Sequence, residues 1–91
     1  PGRGDADVFA VHGDGEHASV CVLPYRGGKL VDKREFHFEG IGDASLNEVL
    51  ATFIAQYYEN NPAIPASIDY GHEIDAEDRD VLAQYLSQKR G

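Results

Sequence analysis

The stretch Val22-Leu23-Pro24-Tyr25-Arg26-Gly27-Gly28-Lys29-Leu30 decides how this 91-residue chain is wound. Two glycines between two basic residues can form a backbone nest that cradles phosphate, or they can form the turn of a β-hairpin. A phosphate loop needs a strand before its glycines and a helix N-terminus after them, because aligned N–H groups and the helix dipole hold the anion. Beyond these glycines, Leu30 to Glu39 alternates, with Phe36 and Phe38 on one side and Glu35, His37 and Glu39 on the other. That is the pattern of a strand with one wet face. A strand therefore follows, and the glycines read as a hairpin turn with a basic tip.

Working outward, Ala18 to Leu23 is almost continuously apolar and rich in Val, as expected of a strand inside a sheet and covered on both faces. Before it, Val8-Phe9-Ala10-Val11 runs into His12-Gly13-Asp14-Gly15, where Asp-Gly supplies the positive φ angles of a tight hairpin. Residues 1–6, Pro-Gly-Arg-Gly-Asp-Ala, are turn-rich and poor in apolar side chains, and are expected to fray. Arg3-Gly4-Asp5 spells an integrin-recognition tripeptide, but three residues recur by chance and nothing else in the chain points outside the cell.

On the other side, Gly40-Ile41-Gly42-Asp43-Ala44 breaks the sheet, and Ser45-Leu46-Asn47-Glu48 reads as a capping box that opens a helix. Leu46, Val49, Leu50, Phe53, Ile54 and Tyr57 then form one apolar stripe, whose burial contributes on the order of 10 kcal/mol. Asn60-Asn61-Pro62 ends the helix. Ala66 to Tyr70, bounded by Pro65 and Gly71, reads as a fourth strand. Asp75 is placed to cap a second helix with core residues Val81, Leu82, Tyr85 and Leu86. The order β-β-β-α-β-α predicts an α/β (α+β) domain, a mixed sheet with helices packed on it, in which the fourth strand can lie parallel to the first. The opening half of the ribonuclease H-like fold has that order.

The length supports one domain, residues 1–91, folding around a single core. No run of about 18 apolar residues suggests a membrane span, and no basic-then-apolar leader is apparent. Cys21 has no partner in the chain, so no disulfide framework is expected, and a reducing compartment fits. Sixteen acids against eight bases give a net charge of −8, which argues against a general grip on polyanions. The charge is segregated. Arg26, Lys29, Lys33 and Arg34 cluster in one window, and Asp69, Glu73, Asp75, Glu77, Asp78 and Asp80 in another. The first window is the one suited to approach DNA, and the second to dock a basic surface of a partner or neighbouring domain.

A ribonuclease H-type nuclease needs several carboxylates converging on two metal ions about 4 Å apart, the first projecting from the middle of strand one. Here that middle is Phe9, Ala10 and Val11. Asp7, Glu48 and Asp69 are the trio that an active site would have to use, but Glu48 is explained as a cap and the two aspartates as element-end residues. Among His12, His17, His37 and His72 no pair has the spacing of a zinc-enzyme helix. His12 and His17 flank one turn and could face each other across it. No serine stands in a nucleophile-elbow context. Tyr57 belongs to the helix stripe, whereas Tyr58 lies at its border, where it could meet a base or a protein surface.

Asp7-Val8-x-Ala10, Val22-Leu23-x-x-Arg26-Gly27-Gly28-Lys29, Glu48-Val49-Leu50-x-x-Phe53-Ile54-x-Gln56-Tyr57-Tyr58, Ile64-Pro65 and Leu86-x-x-Lys89-Arg90-Gly91 together resemble the UvrC family, the nuclease subunit of bacterial UvrABC excision repair. The resemblance runs from Asp7 to the end. It points to the central region between the UvrB-contacting helical hairpin and the catalytic ribonuclease H-like domain. The family cuts DNA with an N-terminal GIY-YIG nuclease and a C-terminal Asp/His metal site, and neither motif is present here. The resemblance therefore implies, for residues 7–91, a cytoplasmic, non-catalytic ribonuclease H-like scaffold. It would have no catalytic residue, metal or cofactor of its own, and would be monomeric as a fragment. UvrB, damaged DNA and flanking domains would be its partners through the longer protein. DNA contact is expected at Arg26, Lys29, Lys33 and Arg34. Protein contact is expected at Tyr58, Glu73, Asp75, Glu77, Asp78 and Asp80. The contrasting expectation is an active metal-dependent nuclease using Asp7, Glu48 and Asp69.

Overall fold

Four antiparallel and parallel pairings build the sheet in the computed structural model, which describes residues 4–70 and 76–90. Strands β1 (Ala6–Asp14) and β2 (His17–Arg26) form a long hairpin. On the far side of β2 lie β3 (Lys29–Leu30) and β4 (Arg34–Phe38), both antiparallel to it. Helix α1 (Leu46–Asn60) crosses back so that β5 (Ser67–Asp69) pairs with β1 in parallel. Helix α2 (Ala76–Arg90) packs on α1. This is the mixed α/β arrangement expected from the sequence. None of the described helices is long and apolar enough to cross a membrane.

The first turn falls later than the Asp14-Gly15 reading placed it. Strand β1 continues through His12 and Gly13, and a two-residue loop, Gly15-Glu16, joins Asp14 to its partner His17. Gly15 takes φ +64°, as the first central residue of a type II′ hairpin loop requires. His12 therefore pairs with Ser19 and His17 with Asp14, so the two histidines are not cross-strand partners. Gly13 is there for a packing reason, since a Cβ on it would meet Leu46 Cδ2 at 2.6 Å.

The third strand is split, and Pro24 supplies the physical cause. Tyr25 pairs with Leu30 and Val22 with Arg34, so three residues, Val31 to Lys33, stand opposite two, Leu23 and Pro24. Proline has no N–H to give the ladder, and the extra residue makes a bulge. Val31 still donates to Pro24 O (3.0 Å), and Asp32 Oδ1 takes the Lys33 amide (2.8 Å). The bulge also resets the phase. Leu30 shares the face of Tyr25, whereas Phe36 and Phe38 share that of Val20 and Ala18.

The core lies between α1 and one sheet face. Phe9, Val20 and Val22 meet Leu50, Phe53, Ile54, Tyr57 and Tyr58, with Leu82 and Leu86 of α2 closing the other side of α1. Phe9 sits edge-on to Phe53, Tyr57 and Tyr58. Both halves of the capping box form: Glu48 N donates to Ser45 Oγ (3.1 Å) and Ser45 N to Glu48 Oε1 (3.0 Å). Two expectations are corrected. Val81 is 64% exposed, because Leu82 and Leu86 carry the buried line of α2. Strand β2 is covered on the α1 side only, with Ser19, Cys21, Leu23 and Tyr25 half-buried on the other. The expected Asp75 cap lies outside the described residues.

Candidate functional site

Strand β1 turns Asp7, Phe9 and Val11 toward α1, and at that depth the carboxylate of Asp7 is 1% exposed. A buried charge needs partners, and two converge on it. Arg26 Nη1, from the end of β2, donates to Oδ1 at 2.9 Å, and Tyr58 Oη, from the last turn of α1, donates to Oδ2 at 2.5 Å. Arg26 Nη1 also reaches Tyr25 O at 2.7 Å and Ala6 O at 3.4 Å. Burial, then the hydrogen bond to Asp7, pushes the Tyr58 hydroxyl far above the usual phenol range, so it stays a proton donor. The hydrogen bond to Asp7 likewise raises the Arg26 guanidinium. Among the described residues, no buried side-chain polar atom is left without a partner.

This cluster bears on three readings. Tyr58 is fully buried, so its ring is no surface for a base or a partner. Arg26 is held at Nη1 by Asp7 and two carbonyls, with its side chain still 37% exposed. Of residues 1–6, expected to fray, 1–3 lie outside the described residues, and at 4–6 Gly28 N donates to Gly4 O (2.8 Å) and Gly27 N to Asp5 Oδ1 (2.9 Å), which ties the start of β1 over the hairpin. Gly27 and Gly28 both take positive φ, as the turn demands, and the Gly27 amide holds an anion after all. The anion is the chain's own aspartate.

The remaining basic residues are partly engaged as well. Arg34 Nε donates to Asp32 Oδ2 (2.9 Å) and Nη1 to the Tyr57 hydroxyl. Lys33 Nζ lies 3.5 Å from Glu35 Oε1, and Lys29 stands exposed at the hairpin tip. In the acidic window, Glu77 and Asp80 are exposed on α2, Asp78 lies on the same helix, and Glu73 and Asp75 lie outside the described residues.

The trio a nuclease would use is dispersed. Glu48 and Tyr58 are ten residues apart on α1, about 15 Å at 1.5 Å per residue, so Glu48 sits a helix length from Asp7 while holding the Ser45 amide. Asp7 pairs in register with Ile68, and Asp69 with Val8, which puts Asp69 on the opposite sheet face. Among the described residues no group of three or more His, Cys, Asp or Glu is placed to hold a metal ion. His37 Nδ1 and Ser19 Oγ are 2.9 Å apart, and His17 Nδ1 is 3.9 Å from Glu39. His72 lies outside the described residues.

Residues 5–91 match the family described as the UvrC ribonuclease H-like domain. Similar proteins include the UvrABC system protein C of Desulforudis audaxviator, 37% identical over 90 residues (99% of this chain, 14% of that protein). That of Lachnospira eligens is 38% identical over 86 residues (94% and 14%), and that of Maricaulis maris 42% over 83 (91% and 13%). This chain thus spans about a seventh of the length of the curated relatives it matches. No solved structure matches it.

Proposed function

Since the chain belongs to the UvrC ribonuclease H-like domain family, we propose that it is a non-catalytic scaffold and interaction domain of a nucleotide-excision-repair protein. One observation carries the reading. The buried aspartate of the leading strand faces a guanidinium and a phenol, where a two-metal hydrolase needs divalent ions bridged by clustered carboxylates. Glu48 and Asp69 are held elsewhere by helix length and strand parity. The domain's work is then to hold its neighbours in a fixed relation and to offer surfaces to the UvrB-type partner, the flanking domains and damaged DNA. Lys29, exposed at the hairpin tip and on the opposite face from Glu35, is its DNA-facing side chain. The acidic window of α2, Glu77 and Asp80 included, faces a basic surface of a neighbour.

The test is incubation of the 91-residue domain with end-labelled duplex and single-stranded DNA in Mn²⁺. The substrate is expected to remain intact. Cleavage that disappears in Asp7→Asn would overturn the reading in favour of the nuclease.

A further inference from the structure

The sheet has a second face, and no described helix or strand lies over it. Both helices pack on the side of Phe9 and Val20, α2 against α1 and beside the β5 edge, where Leu86 and Ile68 line one depression. Strand parity sends Val8 and Ala10 of β1, and Cys21, Leu23 and Tyr25 of β2, to the opposite side, where Leu30, 51% exposed, joins them across the bulge. None of these six belongs to the core cluster. Yet Val8 to Val11 and Val20 to Leu23 are continuous apolar runs, the composition of strands covered on both faces. The amino-acid sequence is written for a cover that the described chain does not provide.

The charge around this face says what the cover is. Among the described residues Asp14, Glu35 and Glu39 lie on it, facing Lys33, which pairs with Glu35, and His17, 3.9 Å from Glu39, while Asp69 lies at its β5 edge near Arg79. A second copy of a chain of net charge −8 would set like charges against each other, and a nucleic acid would be repelled. Beside the apolar strip is a depression of about 300 Å³, lined by Ala10, His12, Ser19, Cys21, Glu35 and His37. It has small residues for a floor and a carboxylate in its wall, which suits the stem and head of a Lys or Arg.

We propose that this open face, centred on Val8 and Leu23, docks a basic amphipathic helix of a partner or neighbouring domain. The inference rests on the reading of the domain as a binding scaffold and names the surface and the chemistry it binds. Leucines would lie on the Val8–Leu23–Leu30 strip, and flanking Lys and Arg would meet Glu35, Glu39 and Asp14. A helix layered on a sheet is the usual way such a face is buried.

Cys21, the chain's one cysteine, lies in this face and reports its coverage. The probe is a synthetic Leu/Lys helical peptide of about 18 residues, long enough to hold a helix, with a Leu/Glu peptide as its counterpart. Saturating Leu/Lys peptide should slow iodoacetamide alkylation of Cys21 at least tenfold in low salt, and high salt should restore the rate. Leu23→Lys should abolish the protection. Glu35→Lys, at an exposed site where the fold is not at stake, should weaken it several-fold. Three results overturn the proposal: an unchanged rate at saturation, equal protection by the Leu/Glu peptide, or protection that grows with the domain's own concentration, which would identify a second copy as the cover. DNA cleavage by the domain would remove the scaffold reading without altering Cys21 protection, so the two failures are distinguishable.

Discussion

Replacing Arg26 by methionine removes one of the two donors to a carboxylate whose side chain is 2% exposed, and the structure allows the cost to be worked out. Breaking a fully buried ion pair costs about 3–5 kcal/mol, because the surviving charge loses its compensation. The Arg26 side chain is 37% exposed against 2% for Asp7, so water can enter the vacated space from one side. Tyr58 also remains bonded to Oδ2. Both effects pull the expected loss down to about 2–3 kcal/mol, a large share of the roughly 5–13 kcal/mol available to a domain of this length. With a urea m-value of about 1.5 kcal/mol/M, the midpoint should fall by about 1.3–2 M. The assay is equilibrium urea unfolding followed by far-UV circular dichroism. Adding Asp7→Asn to Arg26→Met should recover about 1–2 kcal/mol, since a neutral amide needs no counter-charge. A loss under 1 kcal/mol at unchanged m, or no recovery in the double variant, would refute the claim that the guanidinium exists to neutralise Asp7.

Two further outcomes follow from the same geometry. The Tyr58 hydroxyl titrates far higher in the folded than in the unfolded chain, so from about pH 10 upward the unfolded state alone releases that proton and stability should fall by about 1.4 kcal/mol per pH unit. Below pH 10 this contribution is fully present, and Tyr58→Phe should flatten the alkaline limb in a pH series of urea melts. In a longer protein carrying this domain, reversing Lys29 to glutamate should weaken DNA binding and lower the slope of log K against log salt by up to about 0.9 per lost phosphate contact. Fluorescence anisotropy across a salt series measures it, and an unchanged slope removes the hairpin from the interface.

Local pattern made much of the fold readable. The capping box at Ser45, the apolar stripe of α1, the Gly27-Gly28 turn and the parallel return at Ser67–Asp69 each depend on residues a few positions apart. The Asp7 cluster was not readable in that way, because its members are 19 and 51 residues apart and meet only in the folded sheet. A signal was nonetheless present. Asp7 has the parity of Phe9 and Val11, so it had to point into the core and find a donor. Tyr58 completes the series Leu50, Ile54, Tyr58 at steps of four, which places it in the stripe rather than at its border. The split of the third strand was hidden in the same fashion, since Leu30 and Phe36 share a parity in the sequence that the bulge opposite Pro24 undoes.

Tyr57 and Tyr58 end α1 side by side, about 100° apart around the helix axis at 3.6 residues per turn, and their hydroxyls reach different strands: Arg34 at the start of β4 and Asp7 in β1. The helix is keyed on two sides of β2, like a shaft held by two pins, and can neither roll nor slide without losing both bonds. A pull on the hairpin is then carried to the helix layer with little give. A joint that must keep two machines at a set angle is served by such stiffness.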